Sequence, residues 1–432
     1  MKKTLIKASL LSAIIALSLT SCEKDADASV TGNSTPDNVV VDDMDRTGGT
    51  ALPDGIIPDQ YIVTLENSAI NIPSLGLLDY EARTGLAITQ IEALLKSVGL
   101  GDIQLQNVYS KALVGFAAKL NAEQLAILKS LPIVKLVEAD RLFKVKGELV
   151  KVNSKSTNFT KAQSTPYGIV RVGQGNGQGK RAFVLDTGVD TDHPDLNVNT
   201  GLSKSFVSSA TGNCGLLGIL FGCADDAEPS VEDGHGHGTH VSGTIAALDN
   251  GTGVIGVAAG AEIVGVKVLS DQGSGATSGI VQGVDYVASV GSPGDVANLS
   301  LGGGASTSLD NAVINLGAGG IYVALAAGNE SQNANNVSPA RANGVNVYTI
   351  SAMDSQDKYA SYSNYANPPI DYCTPGSSVQ STYKNGGYST MSGTSMASPH
   401  MAGILLMTGG NPKVDGKVLN DPDGNADNIA HL

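Results

Sequence analysis

The sequence predicts an α/β fold, a parallel sheet flanked by helices, preceded by a small α+β unit, and three observations point to it. From about residue 160 onward, near-continuous apolar runs alternate with stretches of helical spacing, the pattern of a parallel sheet covered on both faces. Between residues 56 and 145 the order is strand, helix, strand pair, helix, strand. The composition then bounds the class. With 41% hydrophobic and 16% charged residues over 432 positions, the chain is neither disordered nor a coiled coil, and its length allows two or three domains. Its 53 glycines follow no triplet period, so they mark tight turns rather than collagen.

Met1-Lys2-Lys3 and Lys7 precede an apolar run from Ala8 to Leu19, followed by Thr20-Ser21-Cys22. A charged start, a short apolar run and small residues before a cleavage point predict a signal peptide over residues 1–21. A run of 12 residues is too short for a transmembrane helix. The cysteine at its end resembles a bacterial lipobox. That resemblance implies a lipidated Cys22, attachment to a membrane at the cell envelope or surface, and release after maturation. Residues 22–55, acidic and rich in Ser, Thr, Asn and Gly, predict a flexible tether. Cys214 and Cys223 bracket a short loop, and an exported chain permits a disulfide there. Cys373 lacks an evident partner and is expected as a small buried hydrophobe.

The first folded unit is expected over 56–145. IPDQYIVTLE (57–66) has strand character, EARTGLAITQIEALLKSVG (81–99) helical spacing, and VYSKALVGFAAKL (108–120) the look of a strand pair. NAEQLAILKSL (121–131) is a helix with Asn121 as N-cap, and IVKLVEADRLFKV (133–145) a closing strand. There is no histidine before His193, and nothing in this unit looks catalytic. A linker over 146–162 leads to the second unit, 163–432. Its strands are expected at 181–186, 261–269, 295–301, 321–328 and 346–352, and its helices at 238–248, 277–290, 306–318 and 395–407. Ligands of such sheets sit beyond the carboxyl ends of the strands, where Asp186 and Asn329 fall. This second unit carries a net charge of −13, which argues against nucleic acid as a partner.

Three segments carry the chemistry: Asp186-Thr187-Gly188, His237-Gly238-Thr239-His240 and Gly393-Thr394-Ser395-Met396-Ala397. A serine hydroxyl is a poor nucleophile at neutral pH and needs an adjacent base, which in turn needs a carboxylate to fix its tautomer. Ser395 is expected to open a helix, whose N-terminal dipole favours developing negative charge.

These segments, with FVLDTGVDTDHPDL (183–196), GHGHGTHVSGTIAA (234–247), GVKVLSDQGSG (265–275), ANLSLGGG (297–304), AAGNE (326–330) and SGTSMASPHMAG (392–403), resemble the subtilases of the proteinase K branch. The chain order Asp, His, Ser is the one known for subtilisin. The first unit, through IPDQYIVTL, GFAAKL and IVKLVEAD, resembles the inhibitory propeptide of that family. The resemblance implies a serine endopeptidase with Asp186 orienting His237, His237 as base, Ser395 as nucleophile and Asn329 in the oxyanion hole. It implies protein or peptide substrates, the chain's own propeptide as intramolecular inhibitor, and no cofactor for catalysis.

The resemblance also implies a substrate groove. Ser300-Leu301-Gly302 and Ala326-Ala327-Gly328 would wall the pocket for the side chain before the scissile bond. Small residues there predict an open apolar slot without a carboxylate to select Lys or Arg, hence broad specificity leaning to apolar and aromatic residues. Gly273-Ser274-Gly275 would pair with substrate as an added strand. A structural calcium is implied on Asp371 with the backbone carbonyls of Val345 and Val347, oxygen ligands that suit a hard cation. Asp421, Asp423, Asn425 and Asp427 alternate like a calcium loop, but Ala426 and Leu432 stand where an EF-hand needs Gly and Glu. The segment after Met407 departs from the family.

Other chemistries fit less well. An aspartic protease needs two catalytic carboxylates, and one DTG is present. His235, His237 and His240 lack the HExxH base for a zinc hydrolase, and GTSMA lacks the second glycine of a nucleophile elbow. A surface binding lipoprotein on an inactive subtilase fold is the alternative of another class. Self-cleavage is expected in the linker at Phe159–Thr160, the only aromatic there, with Leu149–Val150 second.

Overall fold

The computed structural model describes residues 55–72, 79–145, 148–149, 162–207 and 230–432. Cys22 and its signal peptide, nearly all of the tether, Cys214, Cys223 and Phe159 lie outside the described residues.

The first unit is an antiparallel sheet with two helices. Strand β1 (Ile56–Leu65) precedes helix α1 (Tyr80–Ser97). Asp79 caps α1 by accepting the Ala82 N–H at 2.8 Å, and Ile88, Ile91 and Leu95 line its buried face at helical spacing. Strands β2 (Leu105–Tyr109) and β3 (Gly115–Lys119) form the expected pair. Helix α2 (Ala122–Ser130) starts in a capping box of Asn121 and Gln124. Strand β4 (Val134–Lys144) closes the unit against β1.

The second unit has a ten-stranded, mostly parallel sheet. Its elements are β5 (Arg181–Asp186), α3 (His237–Ala246), β6 (Glu262–Lys267), β7 (Ser274–Ala276) and α4 (Thr277–Val290). There follow β8 (Val296–Leu299), α5 (Thr307–Ala318), β9 (Tyr322–Ala326), β10 (Val347–Met353) and β11 (Ile370–Pro375). Then come the hairpin β12 (Val379–Tyr383) and β13 (Gly387–Ser392), helix α6 (Thr394–Thr408), and the strands β14 (Lys413–Lys417) and β15 (Asn428–His431). Within the large sheet the order β14-β15-β11-β10-β9-β8-β5-β6 holds, with β5 central between β8 and β6. Helices α4 and α5 share one apolar cluster, and α3 and α6 share another, so the sheet is covered on both faces as its apolar strands require.

The tail after Met407, where the family pattern ends, folds as the antiparallel pair β14–β15 and extends the sheet through Cys373↔Ile429. Cys373 is fully buried beside Met353, Val418 and Ile429, as expected of a small hydrophobe. Asp427 is buried too, accepting from Ser351 Oγ and Asn367 Nδ2. Among the described residues, no helix is long and apolar enough to cross a membrane.

The two units share a sheet. Strand β7 of the second unit joins the edge of the first as β7-β4-β1-β3-β2. Ile62, Tyr109 and Phe143 belong to the same buried cluster as α4 and α5. Carboxylates hold this contact. Asp285 on α4 accepts the N–H groups of Lys111 and Ala112 at 2.7 Å and of Ser110 at 3.1 Å. Burial pushes its pKa up to about 6, against the lowering effect of those donors. Glu138 on β4 takes Ser306 Oγ at 2.5 Å and the Thr307 and Ser308 N–H groups at 3.0 and 3.1 Å, capping α5 from the other unit.

Candidate active site

Asp186 ends β5, and the chain turns there through Gly188 at φ 109°. A Cβ at Gly188 would come within 2.4 Å of the Val231 carbonyl oxygen, so the close approach of the two loops requires glycine. Asp186 Oδ1 accepts from the Thr187 N–H and from His237 Nδ1, both at 2.7 Å. His237 is the first residue of α3, and both side chains are 0% exposed. Burial alone would lower the imidazole pKa, but the charge and hydrogen bond of Asp186 outweigh it, and the net shift is upward from 6.5. Asp233, which sequence reasoning passed over, ties the loop together. It accepts from Thr187 Oγ1, from the N–H groups of His235 and Gly236, and from Thr239. Its place in the DGHGHGTH stretch was the available signal.

Ser395 is the second residue of α6 and is 4% exposed. Its Oγ donates to the Ser300 carbonyl at 3.1 Å, while Ser300 Oγ donates to the Ser395 carbonyl at 2.8 Å. His237 Nε2 is buried without a hydrogen-bond partner among the described residues. Helices α3 and α6 pack together, but no direct hydrogen bond joins Ser395 to His237 here. Asn329 lies just past β9. Its Oδ1 accepts the Thr394 N–H at 2.8 Å and Thr394 Oγ1 at 3.0 Å, so its acceptor side is committed and its orientation is fixed. Thr394 is the pinning residue that the sequence did not single out.

A cavity brings these groups together. Ser395, Thr394 and Asn329 line it with Ser300, Leu301, Gly302, Ala326 and Gly328. Two more residues line it, Glu330 and Lys144. Glu330, which sequence reading did not single out, is thus among the residues that line the cavity. Its Oε2 accepts from Asn364 Nδ2 at 2.8 Å, and the signal for it was the next letter of the AAGNE stretch. Ala327 does not line the cavity; it is fully buried behind it, its carbonyl accepting from Asn364 Nδ2 at 2.9 Å.

The groove beside the cavity is filled. Strand β4 pairs antiparallel with β7, Lys144 opposite Ser274 and Phe143 opposite Gly275, and the Val145 N–H donates to the Gly273 carbonyl at 2.8 Å. Phe143 is 0% exposed. A Cβ on Gly303 would come within 2.9 Å of the Phe143 ring.

The metal expectations fare differently. Asp371 Oδ2 accepts the Thr349 N–H at 2.9 Å, and burial pushes its pKa up to about 6, a carboxyl that a cation would stabilise. That donor set suits calcium chemically. The three histidines weighed for zinc do not converge: His240 Nε2 contacts the Val379 carbonyl, and burial pulls its pKa down to about 3. A grouping the sequence reading overlooked is Asp190, Asp192 and Glu232, whose oxygens lie within 4.8 Å of one another.

The comparisons with known proteins fit this arrangement. The subtilase family model matches residues 179–417, and the peptidase inhibitor I9 model matches residues 60–146. The chain belongs to the subtilase family. Among its relatives, proteinase R of Parengyodontium album is 33% identical over 82% of this chain and 80% of its own length. The cuticle-degrading protease of Metarhizium anisopliae is 36% identical over 69% of this chain and 71% of its own. Alkaline serine exoprotease A of Vibrio alginolyticus is 37% identical over 82% of this chain, which spans 61% of that protein's length. A solved cold-adapted subtilisin-like serine proteinase superposes with a TM-score of 0.51 at 36% identity, over 61% of this chain and 97% of its own. The subtilase is thus a serine protease family member that carries its inhibitor domain in cis, the organisation of a zymogen.

Proposed function

We propose that this subtilase is an exported serine endopeptidase that matures itself, with Ser395 as nucleophile, His237 as general base, Asp186 as the group orienting His237, and Asn329 as oxyanion donor. The observation that carries this reading is the buried 2.7 Å hydrogen bond from His237 Nδ1 to Asp186. It leaves Nε2 as the nitrogen able to take a proton. Ser395 Oγ must rotate from the Ser300 carbonyl toward that nitrogen for reaction, and such bonds commonly tighten only in the substrate complex. Its proton then passes to His237 as Oγ adds to the substrate carbonyl carbon. Asn329 Nδ2 donates to the oxygen that becomes negative. His237 returns the proton to the leaving amine, and water hydrolyses the acyl ester.

Labelling of Ser395 with a fluorophosphonate as a function of pH tests this reading. The processed protein should label at Ser395, and an unlabelled protein would favour the inactive scaffold. Only neutral His237 can act as base. Because its pKa is raised, protonation persists to higher pH, so the labelling rate should fall off on the acid side with a midpoint above 6.5. A midpoint below that value would contradict the Asp186 contact as the controlling influence.

Two finer points complete the proposal. Cys22 is the lipid attachment point, placing the precursor at the cell envelope, so Cys22→Ala should lose lipid labelling and lipoprotein processing; equal labelling in the variant would refute it. Calcium binds at Asp371 with the carbonyls of Val345 and Val347, so chelation should lower the Tm of the wild type but not of Asp371→Asn. An equal drop in both would place the ion elsewhere, the Asp190, Asp192 and Glu232 grouping included.

A further inference from the structure

We propose that Lys267 and Asp271 are positioning residues for this reaction. Their ion pair ties the loop ahead of β7 to the turn that holds Asp186 and to the loop that carries His237, so that a peptide strand laid along β7 raises turnover. The proposal rests on the roles of Ser395, His237 and Asp186 given above and on substrate pairing along residues 273–275. Lys267 is the last residue of β6, in register with Asp186 at the end of β5. Its side chain is 1% exposed. Nζ donates to the Thr187 carbonyl at 2.6 Å and to Asp271 Oδ1 at 2.7 Å. The same Oδ1 accepts the Gly234 N–H at 3.1 Å, and a Cβ on Gly234 would strike that carboxylate. One ammonium and one carboxylate thus join three loops.

Stability does not explain this pair. Burying an ammonium costs free energy that an apolar side chain of similar volume would avoid, and a carboxylate 42% exposed returns little of it. What the pair does is fix atoms. The Thr187 N–H donates to Asp186 Oδ1 at 2.7 Å. Its Oγ1 donates to Asp233 at 2.8 Å and accepts the Gly238 N–H at 3.0 Å, and its carbonyl takes Lys267. With every polar group held, Thr187 sets the carboxylate that orients His237. The other end of the pair reaches the substrate side. Asp271 lies in a tight loop, where the Gly273 N–H donates to the Ser270 carbonyl and the Ser270 N–H to the Ser274 carbonyl, both at 2.8 Å. Strand β7 follows at once, and it accepts an antiparallel strand. A substrate strand laid there fixes the loop, the loop fixes Asp271, and Asp271 fixes Lys267 against Thr187. Binding energy from residues remote from the scissile bond is thereby realised in kcat.

Steady-state kinetics of the processed enzyme test the pair with two substrates, an acetylated single-residue anilide and the same anilide extended by three residues upstream. Asp271→Ala should lower the ratio of kcat values, extended over short, about threefold to tenfold. Gly234→Ala, whose new methyl displaces the carboxylate, should do the same. Asp271→Asn keeps an oxygen for both donors and should return the ratio to within about twofold of wild type. Lys267→Met also removes the donor to Thr187 and should lower kcat on both substrates. An unchanged ratio in Asp271→Ala, or a change confined to KM, would overturn the coupling while leaving Ser395 as nucleophile. A fall in Tm with an unaltered ratio would likewise reduce the pair to a structural contact. Undiminished kcat in Lys267→Met would remove Lys267 from positioning. Absence of fluorophosphonate labelling at Ser395 in the wild-type enzyme would instead sink the reading on which the proposal rests.

Discussion

Ser395→Ala is expected to accumulate as an uncleaved precursor in which the 56–145 unit stays covalently joined to the catalytic unit. In subtilisin, loss of the nucleophile alone costs about 2 × 10⁶ in kcat, and a loss of roughly that order is expected here. The variant should nevertheless fold, because the hydroxyl's present partner is a single backbone carbonyl, that of Ser300 at 3.1 Å. That carbonyl belongs to a residue lining the cavity, so its demand can pass to water or a bound ligand. Intact mass and a circular dichroism spectrum therefore separate chemistry from folding. A Ser395→Ala chain of native spectrum that is still cut between residues 145 and 162 would mean that another protease matures this subtilase.

Asn329→Ala should lower kcat by roughly 10²–10³ with KM nearly unchanged, since the donor acts on charge that exists only in the transition state. The structure sharpens this expectation. Asn329 Oδ1 is committed to the Thr394 N–H and hydroxyl, so Asn329→Asp would keep that acceptor side while placing an oxygen where the donor is needed. It should lose as much activity as the alanine. Thr394→Val offers the complementary readout: it removes one of the two bonds holding the amide and should lower kcat more modestly, about threefold to tenfold, again without raising KM. A kcat loss under about threefold in Asn329→Ala would place the oxyanion donor elsewhere.

Much of this architecture was legible in the residues themselves. The strand at 181–186 and the helix at 277–290 appear at the expected bounds, because long apolar runs and helical spacing encode burial directly. Asn121 was read as a cap and is one, since capping is decided by the few residues around it. The β12–β13 hairpin and the β14–β15 tail escaped notice. Their alternation is irregular, β14 is exposed throughout, and each takes its place by pairing rather than by its own pattern. One lining residue of the cavity was passed over for a related reason. Glu330 is polar and follows a motif of small residues, so its part in the wall depends on where the loop after β9 folds.

What the sequence offered alone was a set of candidate groups and their order: Asp186, His237, Ser395 and Asn329 on a covered parallel sheet, after a unit that matches the peptidase inhibitor I9 model. Those candidates rest on short motifs and on the family resemblance they carry, which the chain holds without folding. Only the tertiary structure decided how far apart they stand and what surrounds them. It set His237 2.7 Å from Asp186, turned Ser395 toward Ser300, pinned Asn329 through Thr394, and paired Val145 with Gly273 and Glu148 with Ser392. The physical reason is range. Hydrogen bonds act over about 3 Å, and the groups they join here are up to 244 positions apart along the chain, as Glu148 and Ser392 are, so contacts of this kind exist only once the sheet has brought its strand ends together.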